Sequence, residues 1–124
     1  MASDIDRTIR FWTEGFGAEV VFDRNFAGAR NVFMTVGSGR LHLYDQPPKN
    51  RNQAVVHHLG VQTDEIEAVV ERLRLMGVSV TAIREEPDAS YAMAEGPDHL
   101  LIEIFQPDEA AVPVDLRSYF GFSS

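Results

Sequence analysis

Apolar positions recur along this chain with two periods, one helical and one alternating, and the switches between them mark out its elements. Ile5, Thr8, Ile9 and Trp12 stand at helical spacing behind an acidic start at Asp4, with Gly15 and Gly17 as stop signals. They predict a short amphipathic helix over residues 4–12. The stretch 18–22 is rich in β-formers, 31–36 is a second apolar run, and Gly37-Ser38-Gly39 turns the chain into 40–44. One helix is thus followed by three strands. Residues 45–54, DQPPKNRNQA, carry two prolines and no periodicity, as a connector does. The pattern then restarts. Residues 55–62 read as a strand, and 64–76 as a helix with Ile66, Val69, Val70, Leu73 and Met76 on one face and Gly77 behind it. Residues 78–83, 91–95 and 100–105 read as three more strands, separated by the turn-rich EEPDAS and GPDH. The tail, 108–124, fits neither period, although VPVDLRSYF within it is compatible with an extended stretch.

The restart is a repeat. Leu41-His42-Leu43-Tyr44 and Ile102-Glu103-Ile104-Phe105 lie 61 residues apart, each followed shortly by Gln-Pro, and Asp4-Ile5-Asp6 matches Glu65-Ile66-Glu67 at the same offset. Each unit is a strand, a helix and three strands, and one such unit cannot bury both its helix and its sheet alone. The expected fold is therefore α+β, with two βαβββ modules packed together. The whole chain is one domain, with module 1 at about 1–47, the linker at about 45–54, module 2 at about 55–107 and a C-terminal tail at 108–124. The strand at 55–62 has its counterpart at −6 to 1, so the first strand of module 1 is expected to be missing and the sheet edge there covered by the tail around 112–119 or by a second chain.

Composition narrows the chemistry. The chain of 124 residues has no cysteine, which removes disulfides, iron–sulfur clusters and thiol nucleophiles. A net charge of −8 with scattered basic residues disfavours nucleic acid. No apolar run is long enough for a membrane span and the first residues are too polar for a signal peptide, so the expected compartment is the cytoplasm.

Strand alternation selects the candidate site residues. With Leu100, Ile102 and Ile104 facing the helix, Glu103 and Phe105 face the other way. With Leu41 and Leu43 inward, Arg40, His42 and Tyr44 face out, and with Leu59 and Val61 on the helix side, His58, Gly60 and Gln62 share the cavity face. Glu103 between two isoleucines costs several kcal/mol if buried unpaired, and a divalent cation would neutralise it. His42, His58 and Glu103 make a ligand set suited to Fe, Mn, Ni, Zn or Co, with open positions for a chelating substrate or water. Arg40, Tyr44, Gln62 and Phe105 are the candidate substrate contacts. The plainer readings are a hydrogen-bonded strand histidine for His58, a strand-end residue facing away for His57, a tight-turn residue for His99, solvated side chains for Arg40 and Glu95, and helix packing or a dimer contact for Phe11, Trp12 and Phe16. The acids Asp64, Glu65 and Glu67 suit the positive end of their helix.

The stretches DIDRTIRFWTEGFGAEVVF, HHLGVQTDEIEAVVERLRLMGVSV and EGPDHLLIEIFQP resemble the vicinal oxygen chelate superfamily of glyoxalase I, bleomycin-resistance proteins and extradiol dioxygenases, over most of residues 3–107. The strand before an acidic helix start falls on His58, and the PDG-x-x-apolar-E strand on Pro97-Asp98-His99 and Glu103. The resemblance implies two βαβββ modules forming a curved mixed sheet around a cavity and, by position, metal ligands at His42, His58 and Glu103, with Glu103 also the catalytic carboxylate. His42 stands where a Glu or Gln is common, and the first-module counterpart of His58 would fall at −3.

Three functions follow as expectations. One is a homodimeric metalloenzyme with lyase, isomerase or dioxygenase chemistry, whose divalent metal chelates a small oxygenated substrate. Another is a metal-free protein that binds a small molecule or drug, as resistance proteins do. The third is a retained scaffold with no ligand.

Overall fold

Ile5 is buried, and Ile9 and Trp12 pack behind it on the same face, so the helical spacing at the start of the chain becomes helix α1 (Ile5–Phe16). The computed structural model describes residues 1–46 and 56–123, and of Asp98 the backbone alone. Asp4 caps α1, its side chain accepting from the Arg7 N–H at 3.0 Å. Gly15 does not end the helix. The stop falls at Gly17, whose φ of +68° is the left-handed conformation glycine adopts without a Cβ penalty, and the N–H groups of Gly17 and Ala18 close onto the Thr13 and Trp12 carbonyls.

The chain falls into two compact units. The first holds the residues up to Val56 together with those from Val114 onward, and the second is His57–Pro113. In the first unit α1 is followed by β1 (Glu19–Phe26), β2 (Ala29–Val36) and β3 (Gly39–Tyr44), an antiparallel sheet in the order β1-β2-β3. Val32, Met34 and Leu43 point from it onto α1 and, with Ala2, Ile5 and Ala18, form the core. Arg30 forks onto Asp23 at 2.8 and 2.9 Å and reaches Asp6 at 2.9 Å, which ties the helix to the sheet.

In the second unit β4 (Leu59–Gln62) leads into α2 (Ile66–Leu75), then β5 (Arg84–Glu85), β6 (Ala89–Glu95) and β7 (Leu101–Pro107), in a mixed sheet of order β4-β7-β6-β5 with β4 parallel to β7. Ile66 and Val70 of α2 pack on Ala92, Ala94 and Ile104. The α2 start is capped from the sheet: the Ile66 N–H donates to Gln106 Oε1 at 2.9 Å.

The repeat holds down to single hydrogen bonds. The Thr63 N–H donates to the Phe105 carbonyl at 2.9 Å, and at the positions 61 residues earlier the Ala2 N–H donates to the Tyr44 carbonyl at 3.0 Å. Ala2 thus occupies the end of the first-strand position, and β3 beyond it is the edge of its sheet among the described residues.

Four expectations change. The strand expected at 78–83 is reduced to a bridge at Val80 with Ala94, the short β5 following later. The strand expected at 55–62 runs only over Leu59–Gln62, Val55 lying outside the described residues, as does most of the linker expected at 45–54. Leu59 and Val61 remain 50% and 49% exposed within this chain because β4 is an edge strand and α2 lies over β6 and β7. The tail does not extend the sheet. It makes a 3-10 turn at Val114–Leu116 and buries Leu116 and Tyr119, packing on the side of the first sheet away from α1.

Candidate functional site

The parallel pairing of β4 with β7 sets Gly60 opposite Glu103 and Gln62 opposite Phe105. His58, two residues before Gly60, therefore shares a face with Glu103, and its Nε2 lies 3.6 Å from Glu103 Oε2, both side chains being less than one-third exposed. A Cβ at position 60 would come within 3.2 Å of the Phe105 ring, so the glycine lets that ring close over the strand beside the pair. From β6, Tyr91 opposite Phe105 and Met93 opposite Glu103 complete this face. Burial pushes the Glu103 carboxyl up from the usual carboxylate range, against a smaller downward pull from His57, and pushes the His58 imidazole down. Both groups are thus driven toward their neutral forms. The other nitrogen of His58, Nδ1, lies 2.8 Å from His57 Nδ1, so His57 does not face away as a plain strand end would.

On the first sheet His42 stands directly opposite Phe33, and the two rings stack at 4.2 Å with 12° between their planes. Asn31 Nδ2 donates to the carbonyls of Phe26 and Ala29 at 3.1 and 2.9 Å, which fixes the amide so that Oδ1 accepts from His42 Nε2 at 2.7 Å. His42 then carries a proton on Nε2. Replacing Asn31 by alanine is expected to cost about 2 kcal/mol in urea denaturation, because two hairpin carbonyls and His42 lose a buried partner together. Tyr44 shares the face, its ring 5.5 Å from His42. Arg40 is engaged by the tail. Its Nε donates to the Tyr119 carbonyl and its Nη1 to the Ser38 carbonyl, both at 2.7 Å.

His99 takes the turn position, with φ of +61°, and its Nδ1 meets Glu95 Oε1 at 2.5 Å on the surface. Glu65 makes no side-chain cap on α2. Phe11, Trp12 and Phe16 form one ring cluster, in which Trp12 packs on the core while Phe11 and Phe16 are each 60% exposed.

As a cation site, the second unit offers one imidazole nitrogen and one carboxylate oxygen. Their 3.6 Å separation can be spanned by two bonds of about 2.0–2.2 Å to one ion, so this donor pair fits a first-row divalent metal. Among the described residues no group of three or more His, Asp or Glu side chains is gathered in a ligand set.

A sequence model of the Glyoxalase/Bleomycin resistance protein/Dioxygenase superfamily matches residues 1–104. The chain belongs to this superfamily. Its fold is shared by solved structures of low identity. The hypothetical protein BH1468 from Bacillus halodurans C-125 is 15% identical over 90% of this chain and 92% of that one, with a TM-score of 0.67. Methylmalonyl-CoA epimerase from Mycobacterium tuberculosis is 18% identical over 85% and 81%, with a TM-score of 0.62. A superfamily member from Vibrio splendidus 12B01 is 18% identical over 83% and 90%, with a TM-score of 0.61. No curated protein sequence matches the chain.

Within this superfamily chain, sequence reasoning missed Asn31, Tyr91, Met93 and Tyr119 and misplaced His57. Tyr91 and Met93 were legible, since β6 alternates them with Ala92 and Ala94, small residues toward the helix and large ones away. No local pattern announces Asn31 as the partner of His42, because the pairing depends on strand register.

Proposed function

We propose that this chain is a divalent-metal-dependent member of its superfamily that acts on a small oxygenated substrate by lyase, isomerase or dioxygenase chemistry. The observation that carries the reading is the half-buried His58–Glu103 pair, a carboxylate between Ile102 and Ile104 that burial drives away from its charged form. A cation held by these two side chains would act as a Lewis acid on two adjacent substrate oxygens. Glu103 is the group here that could hold or release a proton beside a bound substrate. Phe105, Tyr91 and Met93 give the face an apolar, aromatic lining, and Gln62 adds an amide at its edge. Isothermal titration of the purified protein with Co(II) is expected to show binding, and His58→Ala to weaken it by more than about 100-fold. Equal affinity in the two proteins would defeat the assignment.

A metal-free protein that binds a small molecule or drug is the second reading, supported by the commitment of His42 Nε2 to Asn31. The absence of Co(II) binding by wild-type protein would favour it. We also propose a cytoplasmic homodimer, since Phe11 and Phe16 present an exposed aromatic surface on α1. Equilibrium sedimentation is expected to give twice the 13.9 kDa chain mass at micromolar concentration, and a monomer mass would defeat the dimer.

A further inference from the structure

Register carries a row of side chains straight across the second sheet. Gln62 of β4 pairs with Phe105 of β7, Phe105 with Tyr91 of β6, and Tyr91 with Arg84 of β5. Directly paired residues send their side chains to one side of a sheet, so these four share the face of Glu103 and Met93, away from α2. Along the row the groups are amide, ring, ring and cation. Arg84 is exposed, and its guanidinium lies 5.8 Å from the centre of the Tyr91 ring, which supports the cation at the end of the row. Among the described residues it has neither an ion pair nor a side-chain hydrogen bond, in a chain whose net charge is −8. Its neighbour Glu85 pairs with Ser90 and belongs to the other side of the sheet by alternation.

The two ends of this face have opposite character. Toward β4 lie His58 and the Glu103 carboxyl, toward β5 lies Arg84, and Phe105, Tyr91 and Met93 make an apolar floor between them. A negative group is repelled from the first end and attracted to the second. Strands about 4.8 Å apart put the β5 end of the row on the order of 10 Å from β7, a span that a one-ring body with a short arm fills. Arg84 alone among these residues carries a permanent positive charge. It therefore balances a single negative charge, as on a carboxylate, and its planar fork matches both carboxylate oxygens.

We propose that Arg84 is a specificity-determining residue that selects a small organic carboxylate, pairing with its anionic group while the apolar body of the ligand lies on Tyr91, Phe105 and Met93. This names a substrate class for the site above and rests on that reading for where the reacting oxygens lie, whereas the anion subsite itself needs no metal. The ligand is held with its charged end toward β5 and its uncharged oxygens toward His58 and Glu103.

Cinnamate and its neutral analogue cinnamamide share one apolar body and differ in charge, so together they read the subsite. Calorimetric titration of metal-free protein at about pH 7.5, where the acid is ionised, is expected to show wild type favouring cinnamate about 10-fold. Arg84→Gln should bring the two ligands within about 2-fold by weakening the acid and leaving the amide. Arg72→Gln removes the same charge from an exposed position on α2, on the other side of the sheet, and should keep the preference. Failure of the wild type to bind cinnamate, equal affinity for acid and amide, or a preference that survives in Arg84→Gln would overturn the assignment. Loss of the preference in Arg72→Gln would overturn it too, since net charge would then be the cause. A preference that depends on Arg84 in a wild type that binds no Co(II) would uphold the anion subsite and overturn the metal reading. Co(II) binding without the preference would do the reverse.

Discussion

Replacing Glu103 by glutamine is expected to move two properties in opposite directions: the protein gains stability near neutral pH and loses its affinity for Co(II). The gain follows from burial. Glu103 lies on a strand between Ile102 and Ile104, and burial raises its proton affinity above the ordinary value of 4.5. Between that value and the higher folded-state value the native chain holds a proton that the unfolded chain has released. Stability therefore falls as pH rises through this window, and the deficit is complete above the folded-state value. Glutamine fills the same space without a charge to desolvate. The variant should be more stable by about 1 kcal/mol at pH 7, or ~3–6 °C in Tm, a figure reduced for the partial exposure of the carboxyl. The advantage should vanish below about pH 4, where both chains carry a neutral group. His58 has the opposite linkage. Its folded-state value lies below 6.5, so its contribution to stability rises with pH up to that value. Both proteins retain His58, and their difference across pH isolates the carboxyl. The loss of Co(II) affinity should exceed about 100-fold, since an amide oxygen replaces the anionic donor of the pair. Thermal melts from pH 4 to 8 and Co(II) titration check the two halves independently. A less stable variant with unchanged affinity would mean that Glu103 is held by partners other than a cation.

The 61-residue repeat was legible because helix starts and last strands are written in strongly apolar, strictly spaced residues: Ile5 and Ile66 both begin helices, and Leu43 and Ile104 are both buried under them. The pairing of His58 with Glu103 was legible for the same reason, alternation on two strands whose neighbours are fixed by the topology. What escaped depends on contacts between positions far apart in sequence or on a single dihedral. Gly15 and Gly17 look alike as stop signals, but only Gly17 adopts the left-handed conformation. The stretch 78–83 has strand-like composition, yet only Val80 forms a bridge. The proton on His42 Nε2 follows from an amide three hydrogen bonds deep in a hairpin. The two repeats also diverge at equivalent places. Glu103 of the second unit corresponds to His42 of the first, but the first sheet carries the tail on the face where His42 lies, a partner the repeat does not contain.

Loss of the tail's anchor is expected to destabilise the first unit strongly. Tyr119 is buried, its ring standing edge-on to Phe33 at 5.2 Å, and Phe33 in turn meets Phe22 at 5.4 Å and stacks on His42. The tail is held at other points as well. Arg40 donates to the Tyr119 carbonyl with its guanidinium 5.7 Å from the ring centre, Arg24 pairs with Asp115 at 2.6 Å, and Leu116 is buried nearby. The exposed Arg24–Asp115 pair contributes little, so the ring and Leu116 carry most of the attachment. Tyr119→Ala removes a large buried aromatic and opens a cavity under Phe33, at an expected cost of about 3 kcal/mol in urea denaturation. Tyr119→Phe keeps the ring, and its cost should stay within about 1 kcal/mol. Burial pushes the Tyr119 hydroxyl up to about 12, so neither difference should change between pH 6 and pH 9. If the tail is bound through the ring, Tyr119→Ala should also free the His42 face and raise binding of a hydrophobic dye well before global unfolding. An alanine variant within about 0.5 kcal/mol of wild type would show that the tail lies along the first sheet without stabilising it.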